Sequence, residues 1–181
     1  RYSVGVVIEP GVLHGTAVYK NLENTIKFVG VPRVLARRGQ RIVLDRDVYI
    51  DILFPDRDVS NWDTNDASIV ARLVYGNTSF MLTGDSPQKI EKYLVSVDRL
   101  GLRSTVLKLG HHGSKTSSSG IFLGSVSPEY AIVSAGKNNK YGHPHEETIS
   151  LLKKFGIKIL STIKLGTIIF KSDGDSVRLS Q

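Results

Sequence analysis

Apolar and polar positions follow two different periods along this chain, and each period predicts one kind of element. Short apolar runs bounded by glycine, proline or charged residues predict strands. Apolar residues spaced three and four positions apart predict amphipathic helices. The two kinds of element are mixed along the chain, and the strand runs are strongly apolar. The pattern therefore predicts an α/β sandwich in which helices cover the faces of a sheet.

The predicted strands lie in eight segments: SVGVVIEP, RIVLDRDVYIDILFP, SIVARLVYGNTSFMLTGD, STVLKLG, YAIVSAG, IKILST, GTIIFKS and SVRLS. The second segment holds two strands around a charged turn. The third is a hairpin with Gly76 and Asn77 at its turn, and the last two strands join at Asp173 and Gly174. The segment NWDTNDAS between the second and third is polar and is expected to be a loop.

Helices are predicted over residues 15–29, 87–97 and 143–156. The first carries one apolar face, formed by Val18, Leu22, Ile26 and Val29. In the last, Pro144 is expected in the first turn and Gly156 just past the end, the positions that these two residue types favour.

Composition narrows the class of protein. The 181 residues suit one domain, 1–181, and 40% hydrophobic content is enough for a core. No apolar run reaches the roughly 18 residues that a membrane helix needs. The chain has no cysteine, which excludes disulfides and thiolate metal sites. It opens on arginine without a signal peptide, so we expect a piece of a longer protein.

The net charge of +7 favours polyanionic partners, first nucleic acid and second anionic lipid. A basic surface kept only for solubility explains the same charge.

Four chemically active side chains follow predicted strands directly. Asp85 ends one strand, the pair His111 and His112 follows the next, and His143 follows another after a loop rich in glycine and asparagine. Strand ends on one side of an open α/β sheet gather their loops into one crevice, so these residues are expected to cluster. Carboxylate and imidazole without thiolate form the ligand set of a catalytic metal. Taken singly, each residue is as well explained by a turn or a helix cap.

Four segments together resemble a known family: NDASIVARLVYGNTSFMLTGD, VLKLGHHGSKTSS, YAIVSAGKNNKYGHPH and GTIIF. They look like the second half of a metallo-β-lactamase-fold hydrolase, and in particular like the C-terminal domain of ComEC-type competence proteins, which take up DNA across the cell membrane. The similarity covers roughly residues 41–170. Its specificity lies in the order of Thr-Gly-Asp, His-His-Gly-Ser and Asn-x-Tyr-Gly-His-Pro.

The resemblance implies a four-layer αββα sandwich and a site for one or two manganese or zinc ions. Asp85 falls where the family places a carboxylate that bridges metals, and His112 where it places a late metal-binding histidine. His111 and His143 would face the substrate phosphate or donate a proton, and either is also a candidate ligand. The implied activity is cleavage of a phosphodiester in the DNA strand that is not taken up. The domain would be soluble and attached to the membrane, on the extracytoplasmic side.

The chain also departs from the family pattern. It contains no His-x-His-x-Asp-His motif, and Asn65 and Asp66 occupy the region where related branches carry another histidine. Half of the metal ligands at most are therefore present. We expect an N-terminally truncated hydrolase domain that is inactive by itself.

Candidate substrate contacts are the polar side chains Asn65, Ser114, Lys115 and Asn139. The lysines Lys108, Lys115, Lys137 and Lys140 flank the proposed site and would neutralise phosphates without reading bases. The serines at 117–119 would either donate to phosphate or start a helix. Trp62 would either stack a base or cover the edge of the core, and the second is favoured.

The two remaining histidines carry less weight. His14 has no partner motif and is expected to be a surface or cap residue. His145 would either support the site or lie in a solvated first turn of a helix.

Two other functions fit the same residues. One is hydrolysis of a small phosphodiester or a lactone by an enzyme of the same fold. The other is DNA binding by a basic domain that does not catalyse.

Overall fold

The computed structural model describes residues 3–180. Strands predominate, and they are β1 (Val7–Glu9), β2 (Arg33–Leu35), β3 (Arg41–Asp45), β4 (Val48–Phe54), β5 (Val70–Tyr75), β6 (Thr78–Leu82), β7 (Val106–Lys108), β8 (Tyr130–Val133), β9 (Lys158–Ser161), β10 (Ile169–Ser172) and β11 (Val177–Ser180). The helices are α1 (Ala17–Val29), α2 (Gln88–Asp98), α3 (Gly120–Val126), α4 (Glu146–Lys154) and α5 (Thr162–Leu165). Short 3-10 turns cover Leu100–Leu102 and Gly110–Gly113.

A mixed seven-stranded sheet forms the centre of the molecule, in the order β3-β4-β5-β6-β7-β8-β9. Its first four strands form an antiparallel meander, and β6 to β9 run parallel. Because β4 and β6 are each antiparallel to β5, strands β4, β6, β7 and β8 all end at the same edge of the sheet. We call it the carboxyl edge.

One face of this sheet packs against helices. Register partners Met81, Leu107 and Ala131 share that face and are fully buried. They form one apolar cluster with side chains from three helices: Ile90 and Leu94 of α2, Phe122 and Leu123 of α3, and Leu152 of α4. Burial of apolar surface between this face and the helices is the main contribution to stability.

The opposite face is contacted by short strands. Ala36, just after β2, and Ile8 of β1 pack with Ile52 and Ala71 of the central sheet. At the other end, Phe170 of β10 packs edge-on against Phe80, with ring centroids 6.1 Å apart. The pattern predicted helices over both faces of the sheet, but helices cover only the face that carries Met81, Leu107 and Ala131. The apolar runs that reach the second face are too short for helices, and they pair as β1–β2 and β10–β11.

Most predicted elements are confirmed, including both hairpin turns and the helix predicted over 87–97, which is α2. Pro144 was wrongly expected in the first turn of its helix, since α4 begins at Glu146 with His145 as N-cap. The apolar face of α1 forms as predicted but is mostly exposed: Ile26 is 6% exposed, and Val18 is 80% exposed. Strand β2 and helix α5 were not assigned from the pattern.

A buried carboxylate connects α2 to the chain segment that follows the histidine pair. Glu91 is 1% exposed and accepts hydrogen bonds from the backbone amides of Ser118 (2.6 Å) and Ser119 (2.7 Å). Burial raises the pKa of Glu91, and the two amide donors oppose that effect. The carboxylate thereby holds the turn at 118–119 from which α3 starts.

Replacing Glu91 with glutamine should destabilise the fold by about 1–3 kcal/mol, because one buried amide would lose its acceptor. Urea denaturation of the 181-residue chain measures this change. Glu146→Gln, an exposed glutamate in the first turn of α4, is the control and should stay within about 0.5 kcal/mol of the unchanged protein. Equal stability of the two variants would show that the carboxylate does not hold the turn.

Candidate functional site

The turn after β6 places Asp85 at the carboxyl edge. Gly84 adopts a left-handed conformation with φ +54°, and a Cβ there would lie 3.0 Å from the Cβ of Ser68. The hydroxyl of Ser68 accepts a hydrogen bond from the Asp85 backbone amide at 3.1 Å. Thr83 donates through its hydroxyl to the carbonyl of Lys108 at 2.9 Å. The Thr-Gly-Asp sequence is thus a turn tied to β7 on one side and to the start of β5 on the other.

The histidine pair lies in an unusual backbone conformation. His111 has φ 46° and His112 has φ 58°, and Gly113 follows with φ +85°. For residues other than glycine this left-handed region costs roughly 1–2 kcal/mol each. Strain of this kind concentrates at functional sites, where the surrounding structure maintains it. Here the backbone amide of His111 donates to the carbonyl of Gly84 at 3.2 Å, which ties the pair to the Asp85 turn.

A single side chain holds the loop that carries His143. The Asn139 amide nitrogen donates to the carbonyls of His143 (2.7 Å) and Gly136 (2.9 Å), and its oxygen accepts from the His143 backbone amide at 2.8 Å. His143 itself is 8% exposed. The asparagine in this loop therefore fixes the backbone of His143 from both sides.

The predicted convergence of the four side chains is confirmed. The ring centroid of His143 lies 5.3 Å from that of His111 and 6.1 Å from that of His112. Nε2 of His112 lies 3.8 Å from Oδ1 of Asp85. The residues come from the ends of β6, β7 and β8, so the parallel pairing of these strands brings them together.

Nε2 of His112 faces a carboxylate oxygen of Asp85. Nδ1 of His112 lies 2.7 Å from the carbonyl oxygen of Ser134, which only accepts, so Nδ1 carries the proton. In the neutral ring Nε2 is then an acceptor, and it faces a carboxylate oxygen, also an acceptor. Such a pair is stable when a cation lies between the two atoms. A backbone carbonyl that fixes the tautomer is typical of a metal-binding histidine.

A lysine lies beside the same carboxylate. Nζ of Lys108 is 4.0 Å from Oδ1 of Asp85 and donates to the Gly84 carbonyl at 2.9 Å. Burial lowers the pKa of Lys108, and the charge of Asp85 opposes this. The lysine therefore supplies part of the positive charge that the carboxylate requires.

The metal-binding hypothesis fits this geometry in part. The separation of Asp85 and His112 suits two ligands of one ion with bonds near 2.1 Å each. Within residues 3–180, however, no three histidine, aspartate or glutamate side chains are arranged to hold a metal ion together. If a metal ion binds here, Asp85 and His112 would provide two coordination positions and other donors would provide the rest.

Two further aromatic side chains lie near His143, and of these only Tyr141 was not considered for the site from the sequence. The ring of His145 lies 4.9 Å from that of His143, as the supporting role for His145 would require, and the ring of Tyr141 stacks on that of His143 at 5.8 Å. Nδ1 of His145 accepts from the backbone amide of Lys115 at 3.1 Å. The alternation Tyr-x-His-x-His at 141–145 is the signal that would have identified Tyr141, because alternate residues of an extended segment share a side.

The neighbouring imidazole rings influence the protonation of His143. Burial, followed by the neighbouring rings of His145, His111 and His112, lowers the pKa of His143, and Asp85 opposes the shift. The neutral ring of His143 is therefore favoured at neutral pH.

The four candidate substrate contacts lie in different surroundings. Ser114 is buried and bonds through its hydroxyl to Thr116 at 3.0 Å. Lys115 is exposed, with Nζ 3.7 Å from Glu147. Asn139 uses its side chain within the loop, as described above, and Asn65 is half-buried in the loop before β5. Their contact with substrate stays a prediction.

The serine run and the remaining histidine have structural roles. Ser117, Ser118 and Ser119 are buried, and α3 starts after them, as one of the two interpretations expected. The hydroxyl of Ser117 donates to the Ser86 carbonyl at 2.8 Å. His14 is exposed, as expected of a surface residue, and it contacts Thr16, which is the N-cap of α1.

Comparison with known proteins identifies relatives of this chain by sequence. Over 110 residues the chain is 47% identical to Competence protein ComA of Neisseria gonorrhoeae, a match covering 61% of this chain and 16% of that protein. ComE operon protein 3 of Bacillus subtilis is 35% identical over 142 residues, which are 78% of this chain and 18% of that protein. Recombination protein 2 of Haemophilus influenzae is 33% identical over 134 residues, which are 74% of this chain and 16% of that protein.

The chain is homologous to a segment of competence proteins. It spans less than a fifth of the length of these relatives, since the matches cover 16% to 18% of them. No family model matches the chain. A protein of Parabacteroides distasonis named as a metal-dependent hydrolase aligns in structure with a TM-score of 0.49 and 14% identity, over 87% of this chain and 75% of that one.

Loss of the Asn139 side chain should loosen the site. Asn139→Ala removes three hydrogen bonds to the loop and should cost about 1–2 kcal/mol of folding stability. It should also change the imidazole resonances of His143 in NMR spectra. The control is Asn138→Ala, which alters the exposed neighbour in the same loop and should leave both measurements unchanged. Unchanged resonances in Asn139→Ala would contradict the positioning role.

Proposed function

We propose that this chain is part of a phosphodiester-hydrolysing, nuclease-like domain of a DNA-uptake protein, acting on one DNA strand during transformation. One observation carries the proposal. The segments that resemble the hydrolase motifs bring Asp85, His111, His112 and His143 together at one edge of the sheet, in a chain homologous to competence proteins.

Asp85 and His112 are the residues that would hold a divalent cation, manganese or zinc, because Nε2 of His112 faces Oδ1 of Asp85 while its Nδ1 bonds to the Ser134 carbonyl. A bound cation of this kind acidifies water and neutralises charge on a phosphoryl oxygen. The other ligands would come from residues outside the described pair. The Ser134 carbonyl and the Gly84 turn hold the two side chains in position before any cation binds.

The remaining polar groups at the edge suit a phosphodiester. His111 is half-buried beside His143, so either imidazole would contact a phosphate oxygen or transfer a proton to the leaving oxygen. Lys137 and Lys140 are exposed on the loop that carries His143. Their charges would attract the neighbouring phosphates of a DNA strand without regard to its sequence.

The packing of the sheet supports a layered hydrolase fold. One face of the central sheet carries helices, and the other carries two small sheets, β1–β2 and β10–β11. In the proposed four-layer αββα sandwich, these small sheets belong to the second β layer. Within residues 3–180, no helix is long and apolar enough to cross a membrane. We propose that this domain is attached to the membrane through other parts of the protein and lies on its outer side.

A second function, DNA binding without cleavage, is favoured by the surroundings of Asp85. The Lys108 ammonium group approaches the same carboxylate oxygen that faces His112, and the described residues offer no third protein ligand. In that case Lys108 would replace a metal as the partner of Asp85. Metal content measured beside cleavage separates the two functions.

DNA binding by the 181-residue chain should weaken steeply with salt, because it depends on release of counterions from phosphates. Titration of a labelled single-stranded oligonucleotide at several salt concentrations measures the slope. Substituting both Lys137 and Lys140 with glutamine should reduce the slope of log K against log salt by about 1 for each phosphate that a lysine no longer neutralises. Lys153→Gln, at the far end of α4, is the control. Absence of binding at low salt would contradict the proposal.

Cleavage is expected only when the missing ligands are supplied. The 181-residue chain with manganese or zinc should cleave little DNA, whereas a longer protein that carries this region together with a His-x-His-x-Asp-His motif should cleave. In that protein Asp85→Ala should abolish cleavage, and His112→Ala should lose both metal and activity. His143→Ala should lose rate and keep metal if it acts on the substrate.

Asp45→Ala, which removes an exposed carboxylate at the end of β3, is the control for these variants and should keep both metal and activity. Full cleavage by the 181-residue chain alone would show that its own residues complete the site. Full activity of Asp85→Ala would refute the proposed role of this carboxylate.

A further inference from the structure

An aromatic pocket opens at the carboxyl edge of the central sheet, near the end of β4. Phe54, at the end of β4, forms its floor, and Trp62 and Tyr93 form its walls. The pocket has a volume of about 430 Å³, within the range of small-molecule binding sites. Its surface is mainly apolar, whereas the histidine cluster is polar.

The three aromatic rings are held in place by the core. The ring centroid of Phe54 is 6.1 Å from that of Trp62, with the planes tilted by 42°. It is 6.2 Å from that of Tyr93, in an edge-on arrangement. Phe54 is fully buried and supports the other two rings, which are half-buried, so Trp62 and Tyr93 pack on the core and present the remainder of their surface to the pocket.

Charged groups surround this opening and are already paired. Arg57 donates to both carboxylate oxygens of Asp56 at 2.8 and 2.9 Å, and the Tyr93 hydroxyl bonds to the same carboxylate. The guanidinium, helped by the Tyr93 hydroxyl, lowers the pKa of Asp56 to about 2 against the effect of burial. Lys89 pairs with Asp66. The rim is therefore polar and close to neutral, which suits a flat, hydrogen-bonding, uncharged group.

The position of the pocket relates it to the histidine cluster. It lies at the end of β4, whereas Asp85 follows β6, and β5 lies between them. Two strand spacings amount to roughly 10 Å. The loop before β5 bridges this gap, since Asp66 lines the pocket and Ser68 bonds to the Asp85 amide. A nucleotide chain with one phosphate at the histidine cluster would reach the pocket within a few nucleotides.

We propose that this pocket holds an unpaired nucleobase of the DNA strand whose phosphate lies at the histidine cluster. The inference rests on the proposed function and adds to it a preference for single-stranded substrate. Base pairs in a duplex are stacked on each other and have no free face for Trp62 or Tyr93. Stacking on aromatic side chains accepts any base, which agrees with the sequence-independent phosphate contacts proposed above.

The chain contains a single tryptophan, so its fluorescence reports on this pocket alone. The 181-residue chain is titrated with a single-stranded oligonucleotide, an abasic oligomer of the same length and a duplex. The single strand should change Trp62 fluorescence and bind more tightly than the abasic oligomer, which has the same phosphates. The duplex should leave the fluorescence unchanged.

Two variants test whether the aromatic walls of the pocket bind a base. Tyr93→Leu keeps the tryptophan reporter, and it should weaken single-strand binding by roughly 5- to 150-fold, the equivalent of one base stack. Trp62→Leu should have a similar effect when binding is followed by anisotropy of a labelled oligonucleotide. Neither variant should affect binding of the abasic oligomer, which also shows that the fold is intact. Phe28→Leu, an exposed aromatic on α1, is the control.

The possible outcomes distinguish failure of the base-binding proposal from failure of the proposed function. If the abasic oligomer binds as tightly and changes the fluorescence as much as the single strand, the pocket does not hold a base, and the proposed function stands. If the duplex is preferred, the pocket is likewise excluded. If none of the three binds at low salt, both the pocket and the proposed function are wrong.

Discussion

The carbonyl oxygen of Gly84 holds the site together. It accepts the backbone amide of His111 and the ammonium group of Lys108, so the end of β6 and the end of β7 are joined at one atom. Parallel pairing alone would leave two strand ends side by side with free loops. The two bonds to Gly84 turn the loops toward each other. As a result Asp85 and His112 face one another in the folded chain before any ligand is present.

The charge balance of the site follows from this arrangement. Asp85 is the carboxylate that faces His112, Lys108 and the cluster of imidazole rings. Burial disfavours the charged forms of Lys108 and His143, so the local surplus of positive charge is smaller than the residue types suggest. A partly neutral cluster retains the capacity to accept a cation or a phosphate. The net charge of +7 on the whole chain would then attract a polyanion over a longer range.

Sequence patterns predicted the features that depend on local chemistry. Glycine and asparagine at 76–77 predicted the hairpin, and polar residues directly after apolar strands predicted the cluster at the carboxyl edge. Features set by the way a loop closes, or by contacts between separate loops, were not predictable. The Asn139 side chain bonds to the His143 backbone only because the loop closes on itself, and Pro144 lies outside α4 because His145 caps the helix and contacts Lys115. The apolar face of α1 was predicted correctly, but its exposure was not, because a periodic pattern does not indicate whether another element covers the face.

The contact between Gly113 and Pro144 makes one mechanical unit of two loops. A Cβ on Gly113 would come within 2.8 Å of the Cβ of Pro144, and the carbonyl of Gly113 accepts the backbone amide of His145 at 3.1 Å. The loop of the histidine pair and the loop of His143 are therefore joined to each other directly. A displacement of either loop would carry the other with it. The imidazoles would then approach or leave a substrate as a rigid block, and adjustment to different substrates would fall to the exposed lysines around them.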